Sequence, residues 1–127
     1  MSKKTIALWI AQVVLAGGFA LAGFMKATQP IADLAAMMGW PGQAPELLVR
    51  FIGVAELAGA VGLILPVLTG ILPRLTALAA LGLAVIQVLA IGLHLYRAEF
   101  GVLPINIVLL ALAVFVVFGR KNTPAAA

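Results

Sequence analysis

Four long apolar runs, at residues 5–25, 47–65, 75–95 and 103–119, alternate with shorter polar connections. Each is close to the ~20 residues that an α-helix needs to cross ~30 Å of hydrocarbon. The pattern predicts an all-α fold, a polytopic membrane four-helix bundle in which residues 1–127 form one transmembrane domain. The longest connection, residues 26–46, holds a second-order pattern. Pro30 suits the start of a short helix with Ile31, Leu34 and Met38 on one side; Gly39 suits its end, and Trp40 suits a membrane–water interface. A short interfacial helix between the first two spans is therefore expected, with Met37, Met38 and Trp40 as interface filler or as a flap. Pro66 and Pro73 are expected to bracket a tight turn, and Arg120 and Lys121 to stop the fourth span.

Within the run at residues 50–66 stands one carboxylate, Glu56. An ionisable group at the centre of a membrane helix costs roughly 2.5–3.5 kcal/mol on insertion scales, so it needs a partner or a purpose. A helix turns ~100° and rises ~1.5 Å per residue, which assigns each polar side chain a face and a depth. Gly53 and Ala60 flank Glu56 on one side and Ala55, Gly59 and Gly62 on the other, while Val54, Leu57, Val61, Ile64 and Leu65 turn away. Small-residue strips of this kind let neighbouring helices approach closely. Gly23 falls on the stripe of the first span that also carries Gln12, Ala16, Phe19 and Lys26; Thr76, Ala80, Gln87 and His94 form a stripe on the third. Asn106 is the polar residue inside the fourth.

The depths converge. Glu56 lies about 13 Å below the start of its span and Gln87 about 10 Å below His94. Lys26, His94 and Asn106 sit near the same end of the bundle. Lys26, Glu56, Gln87, His94 and Asn106 are accordingly the candidate ligand-binding residues, and Gly23, Gly53, Gly59 and Gly62 the candidate packing residues. Arg50, ~120° from Glu56 by the wheel, is expected to snorkel or to pair with Glu46.

Composition settles the solvent. The chain is 65% hydrophobic and 9% charged, against roughly 45–50% and about 25% in soluble domains. Its net charge of +4 is spread over segment ends, a topology and headgroup signal and not a nucleic-acid footprint. Lys3, Lys4, Arg74, Arg120 and Lys121 fall on the side of the termini and Lys26, Arg50 and Arg97 on the other, which predicts cytoplasmic termini. A cleavable leader ending at Ala20-Leu-Ala22 is disfavoured because the first run is long for one. With no Cys and one His, the chain has no thiol chemistry of its own and the pattern calls for no metal site and no intrinsic cofactor.

Glu56-x-x-Gly59-x-x-Gly62-Leu63-x-x-Pro66 resembles the second-helix motif of the DoxX-like family of small four-helix membrane proteins. Gly23-Phe-Met-Lys26, His94 and the Pro104/Asn106 start of the fourth span follow the same family's order, over roughly residues 5–120. The resemblance marks Lys26, Glu56 and His94 as the family-like polar trio. It implies association with thiosulfate:quinone oxidoreductase, redox-stress complexes, quinone-related detoxification or membrane-protein assembly, a spread that leaves the activity open.

Two functions from different classes follow. The first is an accessory protein whose polar pocket, in the outer half of the bundle, binds a lipophilic molecule, a quinone or lipid, beside a redox partner protein. No catalytic residue is assigned in this chain, and any electrons come from the partner. The second is an assembly scaffold in which Glu56 is structural. A transporter acting as a homo-oligomer is third, since four helices are few and no inverted repeat is evident.

Overall fold

In the computed structural model, residues 1–125 are described, and they are helical nearly throughout, with no β-strand among them. Helices α1 (Lys3–Thr28), α3 (Glu46–Thr69), α4 (Leu75–Tyr96) and α5 (Leu103–Arg120) are the four spans, and the short α2 (Ile31–Met38) joins the first two with the 3₁₀ turn Trp40–Gln43. All four long helices have the length and hydropathy to cross a membrane. Their outward faces carry large apolar side chains such as Ile10, Phe51, Leu68 and Phe118, more than half exposed, which is how a bundle meets lipid and not water.

The helices associate as two pairs. α1 packs most closely on α3, and α4 on α5. The pairs join at the end that carries both chain termini, here the terminal end. There Leu15, Leu63, Ala80, Leu83, Ala113 and Val116 form the core. Small residues bring the pairs together: a Cβ on Gly62 would lie 2.7 Å from Ala79 Cβ, and one on Gly59 would lie 2.8 Å from Leu83 Cδ2. Gly119 makes the corresponding approach of α5 to Leu8 of α1.

Pro66 does not begin a turn, as the sequence suggested; α3 runs through it to Thr69 and ends at Gly70, whose φ of 72° places it in the left-handed region. Proline has no N–H, so the carbonyl of Gly62, four residues earlier, loses its helical donor. In a bilayer that group has no water to turn to. Thr76 Oγ1 of α4 donates to Gly62 O at 2.9 Å, and Gln12 Nε2 of α1 donates to the next carbonyl, Leu63 O, at 2.5 Å. Gln12 Oε1 in turn accepts from Arg120 Nε at 2.8 Å. Arg120, expected as a stop signal outside the span, is therefore the last residue of α5; it is 7% exposed, with its guanidinium 5.4 Å from the Trp9 ring centroid. The proline becomes the point where α1, α3, α4 and α5 are fastened.

This arrangement predicts that Thr76→Val, which keeps the side-chain shape but removes the donor, destabilises the folded protein by about 1–3 kcal/mol. Thermal unfolding in detergent measures it, and an unchanged midpoint would show that Gly62 O finds another donor.

Candidate functional site

At the opposite, distal end the pairs diverge, and each pair holds its polar groups against itself. On the α1–α3 wall, the backbones meet at two glycines. A Cβ on Gly23 would lie 2.7 Å from Gly53 O, and one on Gly53 would lie 2.6 Å from Ala27 N. Beside this crossing Lys26 Nζ donates to Glu56 Oε1 at 2.6 Å. Glu56 is 2% exposed, so the ammonium answers the carboxylate where no solvent does. Arg50 pairs with Glu46 at 3.3 Å, as its spacing predicts, and has a second role. Its Nη1 donates to Lys26 O at 2.9 Å and Gln29 O at 2.6 Å, capping carbonyls at the end of α1 and clamping the backbone that carries Lys26.

The α4–α5 wall carries an amide pair, with Asn106 Nδ2 donating to Gln87 Oε1 at 2.9 Å. Above it, α4 ends in a Schellman turn: Ala98 N donates to Leu95 O and Glu99 N to His94 O, with Ala98 at φ 56°. That reversal folds Glu99 back over the helix end, where Glu99 Oε1 lies 3.1 Å from His94 Nδ1 and accepts from Arg97 Nε at 2.9 Å. The bonds from His94 and then Arg97 hold the Glu99 carboxyl below its ordinary range. An ionised carboxylate at Nδ1 favours the tautomer with the proton there, leaving Nε2 free.

Between the walls is a cavity of about 680 Å³. Lys26 and Glu56 line it from one side and Gln87, His94 and Asn106 from the other. Met37, Met38 and Trp40, from α2 and the turn after it, line it at the distal end. Several polar atoms on the lining residues have no protein partner: Glu56 Oε2, Gln87 Nε2 and Asn106 Oδ1 in its interior, and His94 Nε2, Glu99 Oε2 and Trp40 Nε1 toward the distal end. None is sealed in, since Arg120 Nη2 is the fully buried side-chain atom without a partner among the described residues. The site thus offers acceptors and donors on uncharged or internally neutralised groups. A second, largely apolar cavity of about 460 Å³ lies at the terminal end, lined by Leu72, Pro73 and Leu78 with Arg74 and Thr123.

All five candidate ligand-binding residues lie on this one cavity. Of the packing glycines, Gly23 and Gly53 form the α1–α3 crossing, and Gly59 and Gly62 face α4. Sequence reasoning missed Glu99, Arg97 and Gln43. All three stand in polar loops, where composition offers no face to read; a carboxylate just past a helix ending in His-x-x-Arg was the available signal. Arg97 Nη1 donates to Gln43 Oε1, and among the described residues this is the side-chain hydrogen bond that ties the α2–α3 connection to the α4–α5 pair. No group of three or more His, Cys, Asp or Glu able to hold a metal occurs among the described residues.

A sequence model described as the DoxX-like family matches residues 10–116, most of the chain and all four spans in whole or in part. No curated protein and no solved structure matches it significantly.

Because Glu99 is ionised more easily in the fold than in the unfolded chain, its interactions are complete above its ordinary pKa and are lost as pH falls through the lowered value. A site-resolved carboxyl titration in micelles is expected to place Glu99 below a free glutamate, with His94→Ala and Arg97→Ala each moving it back up. A Glu99 titration that neither variant moves would contradict the cluster.

Proposed function

The chain belongs to the DoxX-like family, and from that premise we propose that it is an accessory membrane protein whose distal cavity is a polar pocket for a lipophilic, quinone-like or lipid molecule. In the inferred orientation the termini are cytoplasmic and the pocket lies in the outer half of the bilayer, since Lys3, Lys4, Arg74, Arg120 and Lys121 are all near the terminal end. The carrying observation is the unpartnered trio of Glu56 Oε2, Gln87 Nε2 and Asn106 Oδ1 around a largely apolar cavity. A few convergent polar groups on an apolar wall are the usual form of a small-molecule site. A carbonyl or hydroxyl oxygen accepts from Gln87 Nε2, a hydroxyl also donates to Glu56 Oε2 or Asn106 Oδ1, and His94 Nε2 adds a further contact. The apolar remainder of the ligand packs on side chains such as Phe19, Ile52, Ile86 and Leu109. Redox chemistry on such a ligand is assigned to a partner protein, because this chain brings no cofactor motif.

A second reading, an assembly scaffold, draws on the Lys26–Glu56 pair. Its burial between Gly23 and Gly53 is what a purely structural ion pair also looks like.

The two readings separate by experiment. Of the two tryptophans, Trp40 lines the cavity, so a Trp9→Phe protein reports the site through Trp40 fluorescence, which a bound benzoquinone quenches. Binding by the long-chain quinol, whose hydroxyls donate to Glu56 Oε2 and His94 Nε2, is measured by competition against the benzoquinone quencher and is expected to weaken at least about tenfold in Glu56→Gln and in His94→Ala. Replacing both members of the amide pair, Gln87→Leu with Asn106→Leu, leaves no orphaned partner and tests the head contacts in a variant that keeps its packing. Retained binding in all three folded variants would sink the pocket and leave the scaffold. Mass spectrometry of co-purified lipids identifies the natural occupant.

A further inference from the structure

Resting on that pocket, we propose that its ligand enters sideways from the bilayer through a portal between α1 and α5, so that the occupant is a membrane-dissolved amphiphile with an uncharged head whose tail stays in the portal.

The distal, water-facing route is roofed. Met37, Met38 and Trp40 line the cavity at this end, and the segment that carries them is docked on the bundle by Leu34 of α2 and by Pro41, both buried. The Arg97–Gln43 hydrogen bond ties that roof across to the far wall. The flank is different. Gly18 of α1 and Ile105 of α5 both line the cavity and both are exposed, Ile105 by 58%. Gly18 lies eight residues from Lys26 along the helix, about 12 Å deeper, so its opening faces hydrocarbon and not water.

Gly18 also differs from the interior glycines. A Cβ on Gly23, Gly53, Gly59 or Gly62 would press into a neighbouring helix, whereas one on Gly18 would have no heavy atom within 4 Å. Its missing side chain therefore lets no helix approach; it leaves space. Ala22, one turn toward the distal end, continues the small-residue strip along the same cavity wall. At the α3–α4 seam the cavity-lining residues that reach the surface are Leu48 and Leu89, both with large side chains where α1 has Gly18. Toward the terminal end the α1–α5 seam is shut by Gly119 against Leu8 and by Arg120 on Gln12. The portal is thus confined to the depth of the cavity. Charge selects the head: Lys26 is matched by Glu56 and Arg97 by Glu99, so a charged head would have to displace an ion pair, while a neutral one meets the free amide groups.

In vesicles holding the Trp9→Phe protein, two probes report through Trp40: a benzoquinone with a long alkyl chain and the same ring without the chain. Gly18→Phe, whose side chain projects into open space, is expected to weaken the tailed probe at least about tenfold and leave the tailless ring unchanged, while Gly18→Ala leaves both unchanged. Ile105→Ala, on an exposed position, widens the portal and is expected to speed association of the tailed probe alone. Equal effects on both probes, or no effect of either Gly18→Phe or Ile105→Ala, would overturn lateral entry with the pocket intact. No saturable quenching by either probe in the Trp9→Phe protein would remove the pocket itself, and the portal with it.

Discussion

The Lys26–Glu56 ion pair sets the terms for the distal half of this protein. A carboxylate 2% exposed within a membrane helix is tolerated because an ammonium lies 2.6 Å away, and breaking such a pair by removing one partner typically costs about 3–5 kcal/mol. The pair lies beside the point where α1 and α3 touch backbone to backbone at Gly23 and Gly53. Arg50 then holds the α1 terminus in place by taking the carbonyls of Lys26 and Gln29. Two glycines, one guanidinium and one ion pair thus make a single rigid wall.

The same economy governs the terminal half, with opposite effect. There the polar groups tie the two helix pairs to each other: Thr76 to Gly62 O, and Gln12 between Leu63 O and Arg120. At the distal end each pair joins its polar groups internally, Lys26 with Glu56 on one wall and Gln87 with Asn106 on the other, and leaves the second polar atom of Glu56, Gln87 and Asn106 to the cavity. Fastened at one end and paired within each wall at the other, the bundle keeps an open volume between its walls and keeps the Glu56 carboxylate paired with Lys26. In hydrocarbon, where an unpaired polar group costs several kcal/mol, that division is the physical condition for a cavity.

Membership of the DoxX-like family agrees with the four spans and with the motif through Glu56, Gly59, Gly62 and Pro66. It does not choose among the activities of so varied a family. The proposed choice rests on the chemistry of the cavity, where internally neutralised charges and free amide groups suit a neutral polar head better than an ion.

The sequence alone determined the four spans, the interfacial segment and the face on which Glu56 lies, because apolar run length and helical period are local properties that the bilayer reads directly. The wheel also separated Gly53 from Gly59 and Gly62, and these strips meet α1 and α4 respectively. Partnership was decided by the tertiary structure. Pro66 reads locally as a helix breaker, yet α3 continues through it while Thr76 of α4 donates to Gly62 O, the carbonyl that the proline deprives of its helical donor. Arg120 reads as a stop signal, yet Gln12, 108 residues away, buries it. Glu99, Arg97 and Gln43 have no periodicity to betray them and gain meaning only where the Schellman turn and the interfacial segment come together. Glu56 was the expected centre of the bundle from its cost in lipid; that Lys26 answers it, and that its second oxygen faces a cavity, depends on how the helices pack around Gly23 and Gly53.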